Sequence, residues 1–141
     1  MSLSVLVVDD SAVVRSVVRK ALGMSGVAVS EVHEAGSGLQ ALRVLGERWI
    51  DIVFADLNMP EMSGVEMVRA MAADDLLATV PVVIISSDRD PSRIDELRRL
   101  GIRAYLKKPF RPESLRDTLH EVLGSAAVQS VAAPRASEVH P

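Results

Sequence analysis

Cysteine is absent from the sequence and aromatic residues are scarce, and both facts narrow the class of protein. Without cysteine, the 141-residue chain forms neither disulfide bonds nor thiolate metal sites. Aromatic residues make up 3% of the chain and its net charge is −3, which argues against a basic, base-stacking surface for nucleic acid. No apolar run reaches the roughly 18 residues of a membrane span, and no basic segment typical of a signal peptide opens the chain. We therefore expect one cytoplasmic domain.

Lysine is also rare: of the sixteen basic residues, thirteen are arginines and three are lysines. Two of these lysines, Lys107 and Lys108, are adjacent and lie between a short apolar run and Pro109. A doubled lysine is more often a solvated edge than a site, but a compact ammonium enters a crowded pocket that the broader Arg side chain would not fit. Strand parity puts the two lysines on opposite faces and does not decide which one faces a site.

Short β-branched runs alternate with segments of helical periodicity along most of the chain. The runs span residues 5–8, 27–32, 52–55, 80–85 and 104–106. Several are apolar without alternation, as in parallel strands that are covered on both faces. Apolar stripes with helical spacing follow the runs, and they include Val14 and Val17, Leu39, Val65, Ile94, and Leu115. Five repeats of strand and helix predict a doubly wound α/β sheet with right-handed crossovers.

Proline and glycine mark several of the predicted helix ends. Asp90 followed by Pro91 is typical of an N-cap and a first helical residue, and Pro112 predicts the start of the last helix in the same way. Gly101 and Gly124 follow the last apolar positions of their helices, where a left-handed C-cap is favoured.

The C-terminal segment differs in composition from the rest of the chain. Its residues, SAAVQSVAAPRASEVHP, are small and polar and have no sustained period. We predict a domain over residues 1–124 and a flexible tail or the stub of a linker over residues 125–141.

Polar side chains follow four of the five predicted strands. These are Asp9-Asp10-Ser11, Asp56, Ser86-Ser87 and Lys107-Lys108, whereas the second strand ends in Glu34-Ala35-Gly36 with nothing comparable. In open parallel sheets, functional crevices lie at the carboxyl ends of the strands. Each residue has an ordinary explanation by itself, as a helix cap, a turn residue, a loop hydroxyl or a solvated edge.

Taken together, these side chains indicate a site for a cation and a phosphoryl group. Three carboxylates gathered at apolar strand ends repel one another and cost several kcal/mol unless a cation neutralises them. An all-oxygen donor set without His or Cys favours Mg²⁺ over Zn²⁺. A hard cation beside a carboxylate, an ammonium and a hydroxyl is suited to phosphoryl transfer through an acyl phosphate, or to binding a phosphate.

Four segments in order, VLVVDDS, IVFADLNMPEMSG, PVVIISS and AYLKKPF, carry a resemblance to a known family. From residue 3 to about residue 124 the sequence resembles the receiver domain of two-component response regulators, of the single-domain type found in chemotaxis. The resemblance implies a flavodoxin-like (βα)5 sandwich with a parallel five-stranded sheet of order 2-1-3-4-5.

The resemblance also implies roles for individual residues. Asp56 would be the phosphoacceptor, and Asp9 and Asp10 would hold Mg²⁺, or Mn²⁺ in its place, together with Asp56 and the backbone carbonyl of Asn58. Ser86 would bind a phosphoryl oxygen. The remaining implied roles are the ammonium of Lys108, the switch aromatic Tyr105, a cis bond at Pro109, and the tuning of phosphoryl lifetime by Asn58 and Asp88. Ser63 replaces an Asp often seen before Gly64 in this family, and we expect it to cap the following helix.

The implied partner is a sensor histidine kinase or phosphotransfer protein whose phosphohistidine donates to Asp56. Ser86 would then move inward, Tyr105 would rotate, and the surface of the fourth helix, fifth strand and fifth helix would change its affinity for an output protein. We expect no nucleic-acid or membrane contact by this chain, and a monomer or a phosphorylation-dependent dimer. Its chemistry would be limited to self-catalysed phosphorylation and dephosphorylation, without multiple turnover.

Three alternatives remain open from the sequence. The chain could be the N-terminal receiver of a larger regulator whose output domain is missing here. A phosphatase of the haloacid-dehalogenase type also uses a strand-end Asp, but it needs a second Asp two residues later, where this chain has Asn58. A flavodoxin is disfavoured because Asp9 and Asp10 would repel the flavin phosphate.

Overall fold

Five parallel strands form one sheet, and numbered along the chain they lie in the order 2-1-3-4-5, as predicted. The computed structural model describes residues 2–124. Its strands are β1 (Leu3–Val8), β2 (Val29–Ala35), β3 (Ile52–Ala55), β4 (Val82–Ser86) and β5 (Ala104–Lys107). Its helices are α1 (Ala12–Met24), α2 (Gly38–Glu47), α3 (Gly64–Ala72), α4 (Pro91–Leu100) and α5 (Pro112–Leu123), with a 3₁₀ turn at Leu77–Thr79. The alternation of strands and helices confirms the flavodoxin-like α/β fold.

Helices cover both faces of the sheet, which explains the unbroken apolar runs of the central strands. Leu6 and Val8 of β1 pack in a cluster with α2, α3 and α4, while Val5 and Val7 pack with α1 and α5. Burial of each large aliphatic side chain in these clusters contributes about 1.5–3 kcal/mol. The two apolar layers therefore hold the sheet, and with it the positions of the strand ends.

Some predicted positions differ from the structure. The predicted stripes include Val17 and Leu39, but these side chains are 53% and 46% exposed. Strand β2 spans residues 29–35 rather than the predicted 27–32. Apolar periodicity misplaced it because this edge strand carries half-exposed polar residues. Strand β4 begins only at Val82, because Val80 ends the 3₁₀ turn and Pro81 has no N–H to donate.

The predicted helix caps are largely confirmed. Asp90 accepts a hydrogen bond from the Ser92 N–H at the start of α4, and Gly101 ends that helix in the left-handed conformation. Ser63 forms a reciprocal capping box with Glu66 at the start of α3. Gly124 has a positive φ of 86° but a ψ of 147°, so the prediction of a left-handed cap there is wrong.

The predicted tail, residues 125–141, lies outside the described residues. Within residues 2–124, no helix combines the length and apolar character that crossing a membrane requires.

Gly64 lets the loop after β3 approach the strand end closely. Its N–H donates to the Leu57 carbonyl at 2.7 Å, and a Cβ at this position would lie 2.4 Å from the Asp56 carbonyl oxygen. Because backbone atoms would have to shift to accept that Cβ, only glycine fits here without moving Asp56.

We predict that Gly64→Ala lowers the free energy of unfolding by about 1–3 kcal/mol, because the added methyl overpacks against backbone. Gly46 provides the matched control: it lies in α2, and a Cβ there would meet nothing within 4 Å. Gly46→Ala should raise stability by about 0.5–1 kcal/mol. Urea denaturation measures both changes, and equal stability of Gly64→Ala and the wild type would contradict the steric argument.

Candidate functional site

Three carboxylates meet where β1 and β3 end. Side-chain oxygens of Asp9, Asp10 and Asp56 all lie within 4.8 Å of one another. Backbone bonds of the sheet produce this arrangement, since the Asp56 N–H donates to the Val8 carbonyl and the Asp9 N–H to the Ala35 carbonyl, both at 3.0 Å. Asp9 is buried, Asp56 is partly buried and Asp10 is exposed, so the cluster opens to solvent on one side.

Lys108 faces these carboxylates and Lys107 does not. The Lys108 Nζ lies 3.8 Å from an Asp9 carboxylate oxygen and 3.9 Å from an Asp56 carboxylate oxygen. Its backbone N–H donates to the Ser86 carbonyl, and its peptide bond to Pro109 is cis. Lys107 is exposed at the end of β5. The structure thus resolves the orientation that strand parity left open.

The carboxylates carry more negative charge than their protein surroundings balance. Burial raises the pKa of Asp9 above its ordinary value, and the Ser11 N–H and Lys108 only partly oppose this. Burial likewise raises the pKa of Asp56, where Lys108 acts to lower it and the charge of Asp9 to raise it further. One ammonium beside three carboxylates leaves a net negative, all-oxygen site, and this donor set fits a hard divalent cation.

Ser86 and Tyr105 are joined through the loop that follows β4. Ser86 is 2% exposed, and its hydroxyl oxygen accepts a hydrogen bond from the Asp88 N–H at 3.1 Å. The Tyr105 hydroxyl donates to the Asp88 backbone carbonyl, and burial raises the pKa of Tyr105. Asp88 is therefore the residue that links the hydroxyl near the site to the aromatic side chain on β5.

The side chains of Asp88 and Asn58 differ in their surroundings. The Asp88 carboxylate accepts from the Asp90 N–H at 2.9 Å and lies 3.5 Å from the Arg93 Nε, so it faces the start of α4. Asn58 is exposed in the loop between β3 and α3, two residues after Asp56. Asn58 is thus close along the chain to a carboxylate of the cluster, whereas Asp88 belongs to the loop after β4.

Sequence reasoning missed Arg15, although this residue contacts the acidic pair. Its guanidinium donates to the Asp9 backbone carbonyl and forms an ion pair with Glu34, with 2.8 Å between Nε and Oε1. The available signal was weak: Arg15 and Arg19 lie one turn apart on α1, and Glu34 is an acidic residue at the end of β2. The end of β2, where the sequence showed nothing comparable to the other strand ends, thus supplies Glu34 as the partner of Arg15.

We predict that Asp56→Asn raises the free energy of unfolding of the metal-free protein by on the order of 1 kcal/mol, because it removes a repulsive charge from the cluster. A carboxyl group with a raised pKa in the folded state destabilises that state above this pKa, and protonation relieves the penalty as the pH falls. The gain from Asp56→Asn should therefore be full at neutral pH and fade toward the ordinary carboxyl pKa of 3.8. Urea denaturation across this pH range measures it, and a gain independent of pH would contradict the assignment.

The family comparison agrees with the geometry. The model of the response regulator receiver domain matches residues 5–120. A chemotaxis protein CheY homolog from Campylobacter jejuni is 29% identical over 131 residues, which are 92% of this chain and 99% of that protein. The solved structure of chemotaxis response regulator CheY4 from Vibrio cholerae has 33% identity and a TM-score of 0.76, covering 86% of this chain and 99% of that one.

Another protein of similar structure was solved with a metal ion. The receiver domain of a sensor histidine kinase from Pseudomonas aeruginosa, described with a magnesium ion coordinated in its active-site cleft, has a TM-score of 0.76 at 24% identity. The match includes the full length of that receiver domain and 89% of this chain, and at this identity it supports the fold alone. Since the family model spans most of the chain, this protein belongs to the response regulator receiver domain family.

Proposed function

We propose that this chain is a phosphorylation-dependent signalling switch in which Asp56 accepts a phosphoryl group from a phosphohistidine. The observation that carries the proposal is the meeting of three carboxylates with the Lys108 ammonium at the carboxyl edge of the sheet. A carboxylate at such an edge can act as a nucleophile, and the neighbouring groups can balance the charge of the phosphoryl group that it receives.

The transfer step is an in-line displacement at phosphorus. An Asp56 carboxylate oxygen forms the new P–O bond, the P–N bond of the phosphohistidine breaks, and its electron pair stays on the imidazole nitrogen. Lys108, whose Nζ lies 3.9 Å from an Asp56 carboxylate oxygen, would bind one phosphoryl oxygen. The product is an acyl phosphate, which water hydrolyses to restore the carboxylate.

Asp9, Asp10, Asp56 and the backbone carbonyl of Asn58 would hold Mg²⁺, with Mn²⁺ as a substitute. When bound, the cation supplies positive charge for the phosphoryl oxygens, which a single ammonium balances incompletely. Burial raises the pKa of Asp9 and of Asp56 and Lys108 only partly opposes it, so a bound cation would stabilise both carboxylates. The magnesium ion described for the Pseudomonas aeruginosa receiver domain is in keeping with it.

Ser86 and Tyr105 would convert the new charge into a change of surface. A hydroxyl that accepts one hydrogen bond still has a proton to donate, and Ser86 would donate it to a phosphoryl oxygen. That movement would disturb the bond between the Ser86 oxygen and the Asp88 N–H, and with it the carbonyl that holds the Tyr105 hydroxyl. Tyr105 would then change position on the face formed by α4, β5 and α5.

Asn58 and Asp88 would set how long the acyl phosphate lasts. Asn58 lies exposed close to Asp56 in sequence and would act on the approach of water. Asp88 would act through the loop, because its carboxylate is engaged with Arg93 and the Asp90 N–H.

The partners that this chemistry requires are a sensor histidine kinase or a phosphotransfer protein, and an output protein that recognises the α4–β5–α5 face. Because histidine kinases form their phosphohistidine from ATP, we propose that the exchange takes place in the cytoplasm. The output protein would distinguish the two states of the chain by the position of Tyr105.

We predict that incubation with acetyl phosphate and Mg²⁺ adds one phosphoryl group to the protein, as measured by intact-mass spectrometry. Asp56→Asn and chelation of the metal should each abolish the addition, because one removes the nucleophile and the other the balancing charge. Asp75→Asn is the matched control, since Asp75 is exposed and outside the carboxylate cluster. Failure of the wild type to take up phosphate under conditions that label other receivers would refute the proposal.

We predict that the two adjacent lysines differ in their effect on the switch. Lys108→Ala should leave Mg²⁺ binding intact, yet phosphorylation of this variant should no longer shift the amide NMR signals of α4, β5 and α5. Lys107→Ala should respond like the wild type, because Lys107 is exposed and does not contact the carboxylates. Equal loss of the response in both variants would contradict the separate roles.

A further inference from the structure

Arg15 of α1 connects the end of β1 to the end of β2. Its side chain is 19% exposed, its Nη1 donates to the Asp9 backbone carbonyl, and its Nε lies 2.8 Å from a Glu34 carboxylate oxygen. A guanidinium has several donors in a fixed plane, so one side chain can hold both partners at once. Asp9 is one of the three residues in the carboxylate cluster.

The Asp9 carbonyl needs this donor because the sheet ends beside it. The Asp9 N–H still donates to the Ala35 carbonyl, as the parallel ladder requires. The next rung would need the N–H of residue 37, but β2 ends at Ala35 and Ser37 is the N-cap of α2. The guanidinium of Arg15 therefore replaces the missing strand donor at the carbonyl that joins Asp9 to Asp10.

The orientation of this carbonyl also fixes the residue that follows it. The Asp9 carbonyl and the Asp10 N–H belong to one planar peptide unit, so a bond to the oxygen sets the direction in which the chain enters Asp10. Asp10 is exposed, and neighbouring side chains thus restrict it less than they restrict the buried Asp9. The position of the Asp10 carboxylate then depends on its backbone.

Glu34 supports Arg15 and offsets its charge. The Glu34 carboxylate also accepts from Arg19, at 3.1 Å from Nε and 2.9 Å from Nη2, and these two arginines hold the pKa of Glu34 below its usual range. Arg19 differs from Arg15 in one respect, since its other bond goes to the Val32 carbonyl rather than to the acidic pair. This makes Arg19 a control for the loss of an arginine from the same ion-pair network.

We infer that Arg15 is a positioning residue for the divalent cation: it holds the Asp9–Asp10 peptide in the orientation in which the acidic pair binds Mg²⁺, and Glu34 keeps Arg15 in place. The inference rests on the proposed function, in which these aspartates hold the metal. Groups that orient metal ligands without touching the metal commonly change affinity by about 10- to 100-fold when they are removed.

Isothermal titration calorimetry with MgCl₂ on the unphosphorylated protein tests the inference. Arg15→Ala should bind Mg²⁺ about tenfold more weakly than the wild type, at the low end of the range for orienting groups. If Arg15 acted only through its charge, its removal would have the opposite effect, because a nearby cation repels Mg²⁺. Arg19→Ala should retain the wild-type affinity.

Amide NMR spectra of the metal-free proteins provide a second measurement. Arg15→Ala should shift the Asp10 and Ser11 amide signals, whereas Arg19→Ala should leave them in place. If Arg15→Ala does not fold, Arg15→Lys replaces it: the charge is kept, but one ammonium does not span Asp9 and Glu34, so affinity should still fall several-fold.

The outcomes distinguish a failure of the positioning role of Arg15 from a failure of the proposed function. Unchanged or tighter Mg²⁺ binding by the Arg15 variant overturns the positioning role and leaves the proposed function intact. Equal weakening in the Arg15 and Arg19 variants also overturns it, since the effect would then belong to the ion-pair network as a whole. Absence of Mg²⁺ binding by the wild type would overturn the proposed function itself.

Discussion

The parallel pairing of β1 with β3 is the constraint on which the site depends. Val8 lies opposite Ala55 in this pairing, so the residues that follow them, Asp9 and Asp56, leave the sheet side by side. Burial of their carboxylates costs free energy and the repulsion between neighbouring carboxylates adds to it, in line with the raised pKa values of Asp9 and Asp56. The two apolar layers that hold the sheet offset this cost. The apolar layers, which lie away from the site, thus hold the carboxylates in positions where a positively charged partner stabilises them.

The positive groups around the carboxylates differ in what they contact. Lys108 reaches the carboxylate oxygens of Asp9 and Asp56 directly from the end of β5. Arg15 reaches only the backbone of Asp9, and Glu34 balances its charge. In the account proposed here, Lys108 acts on the phosphoryl group and Arg15 on the geometry of the metal ligands. The difference also accounts for the residue types, since a compact ammonium fits among crowded carboxylates, whereas a planar guanidinium with several donors suits a bridge between a carbonyl and a carboxylate.

The sequence was informative where a residue's role follows from its place in a strand or at a helix end. The gathering of Asp9, Asp10 and Asp56 could be predicted because parallel strands place their carboxyl ends at one edge. Parity separates two faces without naming them, so the choice of Lys108 over Lys107 came from the family resemblance, and the distances from its Nζ to Asp9 and Asp56 agree with it. Arg15 could not be found from the sequence, since its role depends on where β2 stops and α2 begins. The extent of β2 was misjudged for a related reason: an edge strand with polar side chains lacks the apolar run that marks its neighbours.

Reduction of the phosphorylated protein with borohydride tests most directly whether Asp56 is the phosphoacceptor. An aspartyl phosphate is an acyl phosphate, and borohydride converts its side chain to that of homoserine. After incubation with acetyl phosphate and Mg²⁺, peptide mapping by mass spectrometry should find this conversion at Asp56 and leave Asp9 and Asp10 unchanged. Conversion at Asp9 or Asp10 in place of Asp56, or conversion at none of the three, would contradict the account.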